Sequence, residues 1–192
     1  MNSEITLLRL KSGMFRDKDI NNLCTSANKL CSIPLYSYIK PNCSLEDCLE
    51  VTRTLIDGKQ IQLLIIDDFD FFEELIDCKK EEYKINLEKI LHSLKSFARN
   101  NNIPILLNME LDSVMGDSEP TVRAFKDKMI IPNFTDMVLF EYFEEKFTKE
   151  EYYEAKIIIA KDLNGNTEGM ILPLKYYFSK GLFELKEGRI IS

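Results

Sequence analysis

Asp67 closes the run Ile61–Asp67 (IQLLIID), a continuous apolar stretch that ends directly on a carboxylate. Such a run reads as a buried strand. One acid delivered at the carboxyl end of a buried strand has the shape of a Walker B segment, which holds magnesium beside the phosphates of a nucleotide. The pattern is short, and a buried strand ending at any acidic turn looks the same. The acids that follow, Asp68, Asp70, Glu73 and Glu74, read as a solvated acidic loop. A second polar strand end is Asn108-Met109-Glu110-Leu111-Asp112, after the apolar run Ile103–Leu107 (IPILL). A polar side chain there could sense a phosphate, but Glu110 and Asp112 would repel one, so a polar turn is the reading for both.

Other chemistries lack their residues. A phosphate cradle needs G-x-x-x-x-G-K-[ST], because backbone amides and a lysine must surround the phosphates. Only Gly58 precedes a lysine, Lys59, and Arg53 stands where the first glycine belongs. His92, the sole histidine, sits in a helix-like stretch beside Leu91 and Leu94 without a second His or a suitably placed Cys, and it reads as structural or surface-lying, which disposes of Ser-His-Asp and Cys-His catalysis almost entirely. Cys24, Cys31, Cys43, Cys48 and Cys78 form no C-x-x-C pair, so they read as free thiols acting as small buried hydrophobes rather than as a zinc site.

The elements that must position Asp67 follow from periodicity. Residues 17–32 carry Ile20, Leu23, Cys24, Ala27, Leu30 and Cys31 at helical spacing. Leu35–Ile39 alternates as a short strand. Ser44 and Asp47 open a helix, with Leu45, Cys48, Leu49 and Leu55 inward, that runs to about Ile56 and closes at Gly58. Residues 82–101 form the clearest helix, on Leu87, Leu91, Leu94 and Ala98. Strands follow at Met137–Tyr142, Ala155–Lys161, Met170–Leu174 and Leu182–Leu185, with turns at Asn164–Gly165 and Ser179–Gly181. The alternation predicts an α/β fold: a mostly parallel sheet flanked by helices, with antiparallel C-terminal strands.

The 192 residues are long enough for one sizeable core, and no Pro/Gly/Ser-rich linker divides them, so residues 1–192 read as a single domain. The longest apolar runs fall far short of a membrane span, and the N-terminus lacks a secretory h-region. Free thiols without a signal sequence imply a cytoplasmic setting. With 25 Lys+Arg against 32 Asp+Glu, the net charge of −7 argues against autonomous DNA binding driven by charge.

Five stretches resemble, in order, the C-terminal RecA-like motor domain of DnaB-type replicative helicases. Arg9-Leu10-Lys11-Ser12-Gly13-Met14-Phe15 looks like the family's arginine-threonine-glycine stretch before a small helix. Pro34-Leu35-Tyr36 followed by Ser44-Leu45-Glu46-Asp47 looks like the strand and helix preceding Walker B. Ile65-Ile66-Asp67 takes the Walker B place. Leu94-Lys95-Ser96-Phe97-Ala98, then Ile103-Pro104-Ile105, resembles the helix leading to the sensor strand. Ile157-Ile158-Ile159-Ala160-Lys161-Asp162-Leu163-Asn164-Gly165 resembles the strand that carries the finger reaching into the neighbouring subunit.

The resemblance implies a partial RecA-like fold of the P-loop NTPase type, with ATP and magnesium as the family's ligands. It places the family's P-loop and catalytic glutamate upstream of Met1. It sets Asp67 at the magnesium position, Glu110 at a sensor position the family fills with glutamine, and Lys161 at the finger lysine. Leu163 stands where the finger arginine is expected. Lys126 falls near the DNA-loop arginine, and with Arg123 and Lys128 it could touch phosphates of single-stranded DNA, although an ordinary solvated face is the plainer reading. An arginine finger contributes about 10³–10⁵ in rate to phosphoryl transfer. The expectation is therefore a degenerate relative that needs no cofactor by itself and acts by binding, as a homodimer or on a helicase or other replication protein. The alternative is a fragment of an active helicase whose P-loop comes from another chain.

Overall fold

The helix α4, Lys80–Asn101, shows how this chain builds its core. Leu87, Ile90, Leu91, Leu94 and Phe97 recur every three or four residues and are all buried, so one stripe of the helix faces inward. In the computed structural model, which describes residues 5–111, 119–147 and 152–186, they join the core with Phe69, Phe72 and Leu75. α4 ends at Asn102, whose left-handed φ of 51° lets its N–H return to the carbonyls of Ala98 and Arg99.

The preceding elements are α1 (Leu7–Ser12), α2 (Asp17–Cys31) and α3 (Leu45–Lys59). α3 starts as expected: the Ser44 side chain accepts from Asp47 N–H, satisfying one of the amides a helix leaves unpaired at its start. It does not close at Gly58. The helix runs through it, and Gln60 takes the left-handed position at φ 54°. The strand expected at Leu35–Ile39 does not form. That segment has no regular structure and is exposed, and Leu35 N–H turns back to the Ile33 carbonyl.

β1 is Leu64–Ile66 and β2 is Ile105–Leu107; they pair parallel, in register Leu64 with Ile105, Ile65 with Leu106 and Ile66 with Leu107. Neither strand is covered on both faces, contrary to the reading of continuous apolar runs. Ile65 is 53% exposed and Leu106 49%, side by side on one face. After α5 (Ile131–Phe134), β3 (Met137–Phe147), β4 (Tyr153–Asp162), β5 (Ile171–Tyr177) and β6 (Leu182–Leu185) form an antiparallel meander in that order. The antiparallel C-terminal strands are as expected; the parallel part among the described residues is two strands.

The chain's contacts group into two units. One comprises Met1–Leu35, Asp117–Thr121 and Met137–Ser192, with the antiparallel sheet, α1 and α2; the other comprises Tyr36–Gly116 and Val122–Asp136, with β1, β2, α3, α4 and α5. In the first, α2 departs from its amphipathic reading: its one buried residue is Asp19. Cys24 and Cys31 on this helix are exposed rather than buried, while Cys43, Cys48 and Cys78 are partly covered; all five are free thiols.

Candidate functional site

β1 and β2 run in the same direction and end together, so the residues that follow them meet. Asn108 N–H donates to the Ile66 carbonyl at 2.9 Å, and Phe69 N–H donates to the Asn108 carbonyl at 3.0 Å. Across this stitch Asn108 Nδ2 donates to Asp67 Oδ1 at 2.7 Å, and both side chains are exposed. Carboxyl ends of parallel strands are where open α/β sheets place ligands. The arrangement offers one carboxylate held in orientation by an amide.

Of Asp68, Asp70, Glu73 and Glu74, only Glu73 is exposed as a solvated loop would have it. Asp68 accepts from Asp70 N–H at 3.1 Å and caps the 3-10 turn Phe69–Phe71. That turn is anchored by Phe69, buried edge-to-face on Phe72 with centroids 5.8 Å apart. Asp70 receives Lys128 Nζ on its two oxygens at 2.8 and 2.7 Å and the Tyr83 hydroxyl at 3.4 Å. Glu74 Oε1 accepts from Leu45 N–H at 2.9 Å, so this acid serves the first turn of α3. Each of these three satisfies a specific amide or cation, which explains why they sit half-buried.

The other sequence-derived positions divide between the units. Glu110 is exposed, three residues beyond β2, and Asp112 lies outside the described residues. Arg123 and Lys126 are exposed in the helical stretch Val122–Lys128, which kinks at Lys126, where φ is 46°. Lys128 is engaged by Asp70, so the basic trio is partly neutralised within the fold. Lys161 belongs to the other unit, on β4 opposite Val138 of β3, where the strand register shifts.

Three residues that sequence reasoning left without a role of their own organise these sites. Asn108 is the polar side chain that meets Asp67; its place directly after an apolar strand was the available signal. Asp19 is 1% exposed and bound by two arginines: Arg9 Nη2 stands 3.0 Å from Oδ2, and Arg16 donates through Nε at 3.2 Å and through its backbone N–H at 3.0 Å. The Arg16 hydrogen bonds, with Arg9 adding attraction, hold this carboxyl below the ordinary 3.8. Asp162 accepts from Thr167 Oγ1 at 2.7 Å, Thr167 N–H at 3.1 Å and Asn164 N–H at 3.0 Å, which lowers its pKa likewise and fixes the turn after β4. Burial pushes the Cys48 thiol up to about 11 and raises that of Cys43, so neither of these two is a ready thiolate.

Two short parallel strands leading into Asp67 and Asn108, in a chain of alternating helices and strands, agree with a RecA-like α/β fold. One solved ATPase domain superimposes with a TM-score of 0.80 at 17% identity, covering 95% of this chain and 66% of that one. A DnaB-like replicative helicase, solved in a study of its interactions with primase, gives 0.79 at 18% identity, over 93% of this chain and 44% of the other. The family model for the DnaB-like helicase C terminal domain matches residues 1–182, and the chain belongs to that family. Among curated relatives, the replicative DNA helicase DnaB of Treponema pallidum (strain Nichols) is 26% identical over 163 residues, 85% of this chain and 36% of the relative. A probable replicative DNA helicase of Trieres chinensis is 25% identical over 170 residues, 84% of this chain and 37% of its own length. The chain thus spans about a third of the length of the curated relatives it matches.

Family membership implies ATP and magnesium, and these residues fit them only in part. Magnesium beside a nucleotide takes one or two carboxylates and completes its shell with phosphates and water. Asp67 supplies one carboxylate. The phosphate cradle has no counterpart, since Gly58, the one glycine followed by lysine, is inside α3. Among the described residues no three of His, Cys, Asp or Glu converge to hold a metal, and no helix is long and apolar enough to cross a membrane.

Proposed function

We propose that this chain is a DnaB-type domain that acts in DNA replication as a binding or assembly module and does not hydrolyse ATP by itself. The observation that carries this is the uncovered β1–β2 pair. Parallel strands are almost always covered on both faces, yet Ile65 and Leu106 stand half-exposed beside each other. A partner that covers them, a helicase subunit or another replication protein, completes the sheet. Glu110 at the sensor position cannot donate an amide hydrogen bond to a phosphate, and Leu163 cannot supply a finger's charge. Asp67 and Lys161 are inherited positions in this reading, and Arg123 and Lys126 make at most weak contacts to DNA phosphates.

A second reading is favoured by the Asn108–Asp67 pair, a carboxylate kept oriented at the strand end. In it the chain is part of an active ATP-dependent helicase whose P-loop comes from another polypeptide. Calorimetric titration with ATP and a slowly hydrolysed analogue, magnesium present, separates the two. The first reading expects no heat at millimolar nucleotide. Saturable binding that disappears in Asp67→Ala would overturn it and favour the second.

A further inference from the structure

Asn164-Gly165 is the one place in the sequence where asparagine is followed by glycine. It sits in the turn after β4, and both residues are exposed. The turn requires its glycine, because Gly165 takes a left-handed φ of 70° that a side chain would strain. That requirement has a chemical consequence. With no Cβ on the following residue, the next amide nitrogen is open to attack the asparagine side chain. No heavy atom lies within 4 Å of where a Gly165 Cβ would stand, so a five-membered ring has room to form there.

The fold holds the attacking nitrogen back. Gly165 N–H donates to the Asp162 carbonyl at 2.9 Å, so its proton is engaged and the nitrogen is fixed in the turn. The Asp162 carboxylate fastens the same turn through its side chain. It accepts from Asn164 N–H at 3.0 Å, from Thr167 N–H at 3.1 Å and from Thr167 Oγ1 at 2.7 Å. From these contacts we propose that Asn164 is a site of spontaneous deamidation, held in check by Asp162 and Thr167, which keep the turn closed.

In the reaction the Gly165 nitrogen bonds to Asn164 Cγ and the Cγ–Nδ2 bond breaks. Nδ2 leaves as ammonia, carrying the proton that the amide gives up. The succinimide then takes up one water at either carbonyl, which leaves aspartate or isoaspartate at 164. Water is the sole co-reactant, and nothing is oxidised or reduced. Either product adds a negative charge two residues past Asp162, and isoaspartate also lengthens the main chain within the turn. Because attack requires the turn to open, the rate follows the opened fraction. The site belongs to the unit with the antiparallel sheet, and the inference goes beyond the proposed function.

The test incubates the full chain at mildly alkaline pH, once folded and once in urea. Peptide mass spectrometry follows deamidation at 164, and hydrogen exchange follows the turn. We expect the folded chain to react roughly tenfold or more slowly than the unfolded one. Thr167→Val keeps the Asp162 charge and removes one hydrogen bond, so the folded rate should rise several-fold, with faster exchange at Gly165 and unchanged circular dichroism. Asp162→Ala removes every side-chain fastening and should bring the folded rate close to that in urea. Equal rates folded and in urea, no deamidation at 164 even in urea, or a Thr167→Val chain that reacts no faster than wild type would each overturn the proposal.

Discussion

Asp19 shows how a single buried charge can be kept. Removing a carboxylate from water is costly unless charged partners and hydrogen bonds replace the solvent, and Arg9 and Arg16 do so here. The sign of the pH dependence follows. The folded pKa lies below the ordinary 3.8, so the stabilisation is complete above 3.8 and is lost as pH falls through the lower folded value. Asp162 behaves the same way through Thr167 and Asn164. Urea midpoints should therefore drop at acid pH, and Asp19→Asn should lower the neutral-pH midpoint while flattening that acid decline. An unchanged acid slope in Asp19→Asn would mean that another carboxylate sets it. In the sequence Asp19 is one acid among several at the start of a helix. Its burial depends on Arg9 reaching it from the preceding helix, and spacing along one chain does not show that.

At the scale of elements, local physics was legible and pairing was not. The clearest helix, the capped start of α3 and the meander from β3 to β6 follow from period, caps and turn residues within a few positions of one another. Leu35–Ile39 alternates as a strand should, but a strand exists only with a neighbour to bond, and no local signal reports that neighbour. β1 was legible as a place and misjudged in cover, because an apolar run does not show whether both its faces are filled. The candidate site followed the same rule: Asp67 stood out, while Asn108 gained its meaning only when β1 and β2 ended together. The caps can be tested directly. Ser44→Ala should cost about 1 kcal/mol by urea unfolding, since it frees the Asp47 amide. Gln60→Gly should add roughly 0.5–1 kcal/mol by relieving the left-handed position. Within α4, Leu87→Ala should cost about 2–5 kcal/mol, because Leu87 is fully buried and its loss leaves a cavity.

For the whole molecule, the bare face of β1 and β2 separates stability from assembly. Ile65→Thr with Leu106→Thr should lower the unfolding free energy by only about 1–2 kcal/mol, since both side chains are already half in water. The same variant should lose capture of a replication partner in pull-down with purified proteins; undiminished capture would place the partner elsewhere. The net charge of −7 and the Lys128–Asp70 pair together predict that anisotropy with single-stranded oligonucleotides stays flat at physiological salt.

Leu7 N–H donates to the Ser179 carbonyl at 2.7 Å, and the Leu7 side chain rests against Gly181, where a Cβ would come within 3.2 Å. Leu7 is therefore stitched to a hairpin made some 170 residues later. During synthesis at 5–20 residues per second, that amide waits roughly 10–30 s before its carbonyl emerges. The unit containing β1 and β2 can close meanwhile, because Tyr36–Gly116 and Val122–Asp136 are complete long before Ser179 is translated. Leu7 thus lacks its backbone and side-chain contacts until that hairpin is made. A ribosome stalled before the β5–β6 turn should display α1 in a protease-sensitive form.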